Sequence, residues 1–151
     1  MQESCRNIYR DARRTAGLTQ ERWAEVLGIS VEAVRLYETG VNMPGDEIAL
    51  RMAEVAGQQI ICYWHLLRKS RVAAETLPPV ERLPLAQAVV QLLARIREFN
   101  GKHSDDALLR IAEDGRVDAD ELLQFREIVR DLHGIIQAAL QIDYAEKEAP
   151  L

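Results

Sequence analysis

Apolar residues recur at spacings of three and four along nearly the whole chain, and no segment alternates apolar with polar over strand length. The pattern predicts an all-α protein. A first helix is expected over residues 4–16, with Ile8, Ala12 and Ala16 on one face and Gly17 as its stop. Two short helices follow. Thr19 and Ser30 can cap them, because a side-chain oxygen just ahead of a helix accepts from a free backbone N–H. Gly28 and Gly40 can end them in the left-handed conformation that other residues avoid. Asp46 is expected to cap a fourth helix to about residue 55, with Ile48, Ala49, Met52 and Ala53 facing inward.

A fifth helix is expected over residues 58–69. Its Ile60, Ile61, Tyr63, Trp64, Leu66 and Leu67 occupy most of the circumference, so it needs cover from two sides. Thr76, Pro78, Pro79 and Pro84 then interrupt helical continuation. Residues 71–83 read as a connector between an N-terminal domain, 1–70, and a C-terminal helical domain, 84–148. In the second domain a sixth helix covers 84–99, with Leu85, Val89, Leu92, Leu93, Ile96 and Phe99 on one face, and Asn100 and Gly101 end it. A short seventh helix covers 105–113 and a long last one about 120–147. In the last, Leu122, Phe125, Val129, Leu132, Ile136 and Ala139 form a heptad seam. Such a seam serves either an internal bundle or a subunit interface.

Composition narrows the class. Of 151 residues, 48% are hydrophobic, enough for a core. No apolar run approaches the roughly 20 residues that span a bilayer, and the N-terminal residues contain no apolar signal segment. A cytoplasmic protein without a membrane partner is expected. Cys5 and Cys62 lie far apart with no C-x-x-C pair, which argues against a disulfide or zinc framework. The formal net charge is -5. The excess acid falls in residues 71–151, while residues 1–70 carry as many cations as anions. A neutral first half can bind phosphate only through a local basic face, with modest non-specific affinity.

The stretch from Thr19 to Gly40, TQERWAEVLGISVEAVRLYETG, reads as two short helices joined by a tight glycine turn, the helix-turn-helix unit whose second helix can enter a DNA major groove. Arg13, Gly17-Leu18-Thr19-Gln20, Ala24, Leu27-Gly28-Ile29-Ser30, Val34, Tyr37-Glu38 and Gly40 carry a specific resemblance. On these residues the stretch 6–57 resembles the phage repressor and Cro (XRE-type) helix-turn-helix regulators.

The resemblance implies a five-helix lambda-repressor-like DNA-binding domain and sequence-specific transcriptional regulation, as a repressor of a phage-like or mobile-element operon. It places Val31, Glu32 and Leu36 at base edges, Gln20 and Thr39 at phosphates, and Arg13 with Glu38 in a partly buried ion pair. Ala24, Leu27, Val34 and Tyr37 fall at core positions, and Trp23 is expected to join them.

The residue chemistry fits. Arg35 can meet guanine or phosphate, Glu32 can accept from a cytosine amino group, and Val31 and Leu36 can pack on thymine methyls. Glu32 also suits the first turn of a helix, where an acid favours the dipole. Arg10, Arg14, Arg22 and Arg51 are available for backbone phosphates.

A single recognition helix has a small footprint. The expected partners are therefore a double-stranded DNA operator and a second copy of the chain, on half-sites one helical turn apart. A protein effector is a further candidate partner. Candidate dimerisation residues are Ile60, Tyr63, Trp64 and Leu67 of the fifth helix and Val129, Leu132 and Ile136 of the last. The competing reading is a helix-turn-helix used for protein docking, antitoxin-like or repressor-neutralising.

Other chemistry finds little support. Residues 113–121 echo a calcium loop, but its first ligand position would be Arg110, a cation where a carboxylate is required. Gly115, Asp118 and Glu121 are better read as the end of one helix and the capping box of the next. His65, His103 and His133 lie on separate elements without ligand spacing. No nucleophile elbow or phosphate-cradling glycine loop is present. Neither a cofactor, a metal nor an enzymatic activity is expected.

Overall fold

The computed structural model describes residues 7–146, and among them are nine α-helices and no strand. The chain divides into two compact units between Leu77 and Pro78. The first unit contains α1 (Ile8–Thr15), α2 (Gln20–Leu27), α3 (Val31–Thr39), α4 (Asp46–Ala56), α5 (Ile60–Lys69) and α6 (Arg71–Thr76). The second contains α7 (Leu85–Gly101), α8 (Ser104–Ile111) and α9 (Leu122–Asp143).

In the first unit the helix ends follow the capping chemistry. Thr19 Oγ1 accepts from the Arg22 N–H at 3.2 Å and Ser30 Oγ from the Ala33 N–H at 3.1 Å. Gly28 and Gly40 close α2 and α3 at φ 70° and 77°, in the left-handed region. Because Ser30 satisfies a donor that the helix cannot, Ser30→Ala is expected to cost about 1 kcal/mol. A thermal melt of the variant reads this directly.

Several boundaries differ from the sequence expectation. The described part of α1 starts after Asn7, whose Oδ1 accepts from the Tyr9 and Arg10 N–H groups at 3.0 Å. Residues 4–6 of the expected helix, and Cys5, lie outside the described residues. Gly45 rather than Asp46 occupies the cap of α4, because the Asp46 carboxylate is taken by His65 and Lys69. α5 begins at Ile60, two residues late, since Gly57 turns the chain at φ 64°. The expected connector contains a helical turn and a half, α6, which Ser70 caps through the Ala73 N–H.

The core of this unit gathers Ile8, Tyr9 and Ala12 from α1 with Trp23, Ala24 and Leu27 from α2. Val34, Met52, Ala53 and Ile61 complete it. Burying these side chains is the main source of the unit's stability. Ile60 and Tyr63 are also buried, and so leave the set of dimerisation candidates. Trp64 is half-buried against the same core, and Leu67 is half-buried. Most of the apolar circumference of α5 is therefore buried or half-buried, and Leu66 is left exposed.

In the second unit α7 and α9 run antiparallel. The Leu85 N–H donates to the Glu146 carbonyl at one end, and Lys102 Nζ meets Asp131 Oδ2 at 3.0 Å towards the other. α7 continues through Asn100 and Gly101, which were expected to end it. The left-handed residue that turns the chain is instead His103, at φ 52°. α8 starts at Ser104, one residue early, and ends at Ile111. α9 starts at Leu122, after the Glu121 carboxylate accepts from the Asp118 N–H at 3.1 Å. Residue 147 of the expected last helix lies outside the described residues.

Ala107, Ile111 and Ile128 form a small core with Phe99, Leu108, Phe125 and Leu132 packed against it. Elsewhere on these helices the small residues Ala88 and Ala138 are fully buried, and Leu92, Ile96, Ile135, Leu140 and Ile142 are half-buried. Gly134 lies under Arg95, whose Nη1 would sit 2.5 Å from an added Cβ. That atom is the free end of a long side chain and can swing away. Gly134→Ala is therefore expected to raise stability by about 0.5–1 kcal/mol through helix propensity. A denaturant midpoint moving up without a change in slope is the readout.

Candidate nucleic-acid interface

The three-residue turn between α2 and α3 is fixed from both sides. Gly28 takes the conformation that lets the Ile29 N–H return to the Ala24 carbonyl at 3.0 Å, and Ser30 then opens α3. Arg51 of α4 reaches across and donates to the Leu27 carbonyl at 3.3 Å, satisfying the free end of α2. Val34 of α3 is buried under the turn.

The far end of α3 is held by one carboxylate. Glu38 is buried, its side chain 3% exposed. Arg13 Nε donates to its Oε1 at 2.5 Å, and Arg13 Nη2 to its Oε2 at 3.0 Å. Gln20 Nε2 donates to Oε2 at 2.9 Å. Arg13 Nη1 also reaches the Leu18 carbonyl, and Arg10 Nη2 the Glu38 carbonyl, at 2.9 and 3.0 Å. The cluster thus ties α1, the start of α2 and the end of α3 together. Burial pushes the Glu38 carboxyl up, but the bonds from Arg13 and Gln20 and the charges of Arg13 and Arg10 outweigh it and hold it below the usual range. The bond to Glu38 raises Arg13 above its ordinary value.

With both ends fixed, α3 presents Glu32, Arg35 and Thr39 to solvent. Residues three and four apart share a helix face, which puts the three in one row. Glu32 and Arg35 are 67% and 57% exposed and stand 3.7 Å apart. A pair this open is weakly held, so either side chain is free to take another partner. Thr39 donates its hydroxyl proton within the helix, to the Arg35 and Leu36 carbonyls at 2.9 and 3.2 Å.

The remaining site candidates are placed differently from one another. Leu36 is half-buried. Val31 is half-buried and packs against the core, so part of its side chain supports the turn. Gln20 is drawn into the Glu38 cluster. Arg10 is tied to the end of α3, Arg22 is paired with Glu25 at 2.5 Å on the surface, and Arg14 is exposed and unpaired among the described residues. Beyond Gly40 the loop exposes Val41 and Met43, while Pro44 is buried.

Two features escaped the sequence reading. One is the reach of Glu38, which gathers Gln20 and the Arg10 contact as well as Arg13. The other is a chain of polar contacts behind the interface: Tyr9 Oη lies 2.9 Å from His65 Nδ1, and His65 Nε2 lies 3.0 Å from Asp46 Oδ1. Lys69 Nζ completes it, 2.5 Å from the same oxygen. The bonds from Lys69 and His65 hold Asp46 below its ordinary value. Partners 56 residues apart leave no trace in local spacing, and only the inward position of His65 on its helix hints at them.

A glycine-turned pair of capped helices, with the second one exposed along one face, is the architecture of a DNA-reading domain. Residues 10–59, about a third of the chain, match the helix-turn-helix family model, which supports an XRE-type helix-turn-helix segment there. That family consists of DNA-binding transcriptional regulators and is generally not enzymatic. No curated protein and no solved structure matches the chain. Among the described residues no helix is long and apolar enough to cross a membrane.

Proposed function

We propose that the protein is a sequence-specific transcriptional repressor of a phage-like or mobile-element operon, acting as a two-fold homodimer. α3 enters the major groove, with Arg35 on guanine or an adjacent phosphate and Glu32 on a cytosine amino group. Leu36, and the outer part of Val31, lie close enough to the same face to contact thymine methyls. Arg14 and Arg22 serve the flanking phosphates, Arg22 by leaving its surface partner Glu25. Gln20 and Arg10 act mainly by fixing the orientation of α3 through Glu38. Repression follows from occupying a promoter.

The observation that carries this reading is the exposed row Glu32, Arg35 and Thr39 on a helix clamped at both ends. Preorganisation matters because a helix that need not be ordered on binding keeps its contact energy for affinity. The competing reading, an antitoxin-like or repressor-neutralising module, draws on the neutral N-terminal half and the apolar Val41 and Met43 beyond α3.

Selection of bound fragments from random duplex DNA tests the proposal. An enriched, two-fold-related sequence is expected, with affinity falling steeply as salt rises. A stable complex with another protein and no enriched sequence supports the competing reading instead.

A further inference from the structure

The second unit is built inside out. The largest fully buried side chains of the described residues, Trp23, Leu27, Met52, Ile60 and Ile61 among them, all belong to the first unit. Along residues 85–94 of α7 and 134–142 of α9 the buried hydrophobic residues are only Ala88 and Ala138; Leu92, Ile135, Leu140 and Ile142 are half-buried, and Leu85, Val89, Val90, Leu93 and Ile136 are exposed. Val90 is 67% exposed and Ile136 49%. A self-sufficient helix pair does the reverse, since burying a leucine or valine is worth about 1.5–3 kcal/mol and burying an alanine far less.

The asymmetry has a location. α8 covers the end of the hairpin that holds Phe99, Phe125 and Ile128. At the other end Gln137 Nε2 donates to the Pro79 carbonyl at 2.8 Å, and the outward residues of α7 stay exposed.

The charge pattern identifies what covers them. Residues 85–94 of α7 and 134–142 of α9 contain no charged side chain, although the chain as a whole is 28% charged. A two-fold interface sets the same patch against itself, so every charge near the axis meets a like charge. A patch from which both signs are missing avoids that penalty. It offers nothing to nucleic acid, which requires cations, and nothing to a partner recognised through charge.

We infer that the open face of α7, with Ile136 of α9 beside it, is where two copies of this chain join, the hairpins packing as a four-helix bundle about a two-fold axis. This replaces the buried α5 residues as the dimer contact, and it rests on the two-fold reading above for its purpose, spacing two recognition helices.

The test uses the full chain without DNA. Sedimentation should give a dimer at about 10 µM, and Val89→Glu with Leu93→Glu should raise the dimer Kd at least about 100-fold, because four carboxylates are forced into an apolar contact. Circular dichroism should show the helical content retained. If the double variant melts early, Val90→Lys takes its place, since a side chain so exposed cannot be needed by the monomer fold. Leu66→Glu, on the first unit, should stay dimeric.

A wild-type chain monomeric at about 100 µM would overturn the inference. So would α7 variants that remain dimeric, or dissociation caused by Leu66→Glu alone. A dimer that selects no DNA sequence leaves this interface standing and removes the repressor reading. A monomer that binds a defined operator does the opposite.

Discussion

Arg35→Glu is expected to lower operator affinity at least about 100-fold while leaving the helical content and melting temperature unchanged. An arginine aimed at a guanine edge contributes about 1–3 kcal/mol of discrimination, and a two-fold complex loses it twice. The reversal also brings a new carboxylate close to Glu32, turning an attractive contact into a repulsive one facing phosphate. The fold should not notice. The side chain is 57% exposed, and its 3.7 Å contact with Glu32 is worth at most about 0.5 kcal/mol. Glu32→Lys is the informative companion: it adds a cation and should raise non-specific binding, yet lose preference for the operator. Gel-shift titrations on operator and scrambled DNA separate the two effects.

Arg13→Ala is expected to destabilise the first unit by about 3 kcal/mol at neutral pH, because it leaves a buried carboxylate short of its main partner. Gln20 and Arg10 remain and keep the loss at the low end for a broken buried pair. The pH dependence carries a signature. In the wild type the folded-state value of Glu38 is lowered, so its contribution is complete above the unfolded carboxylate range and is lost as pH falls through the folded value. Without Arg13 the burial contribution is no longer outweighed to the same extent, and the folded-state value moves up. The cost of the substitution should therefore shrink as the carboxyl is protonated. Thermal melts of both proteins at pH 7 and about pH 4 should show the gap narrowing. A gap that widens in acid, or no gap at pH 7, would remove the cluster as the clamp on α3.

Much of the first unit is legible in the sequence because its signals are local. Thr19, Gly28, Ser30 and Gly40 each act within three or four residues, which is why the limits of α2 and α3 follow from spacing alone. Asn7, Gly45 and Gly57 are equally local, but Asp46 looked like a cap and was diverted by His65 and Lys69, residues 19 and 23 positions away. The outward face of α3 is readable as a stripe, yet the sequence does not say that Val31 leans on the core or that Gln20 turns towards Glu38.

The second unit was least legible. Its heptad seam marks an apolar stripe correctly, but Leu132 and Phe125 pack towards α8 while Ile136 stays outside. Periodicity reports that a face is apolar, not which neighbour covers it. The buried alanines of α7 and α9, Ala88 and Ala138, carry almost no periodic signal.

The central claim is that α3 reads DNA sequence. Its most direct test is hydroxyl-radical footprinting of the full chain on the fragment enriched from random DNA, wild type beside Arg35→Glu. The account predicts two protected half-sites about one helical turn apart, on one face of the duplex, and no protection by the variant at the same concentration. Protection that persists unchanged with Arg35→Glu, or the absence of any protected sequence at low salt, would contradict it.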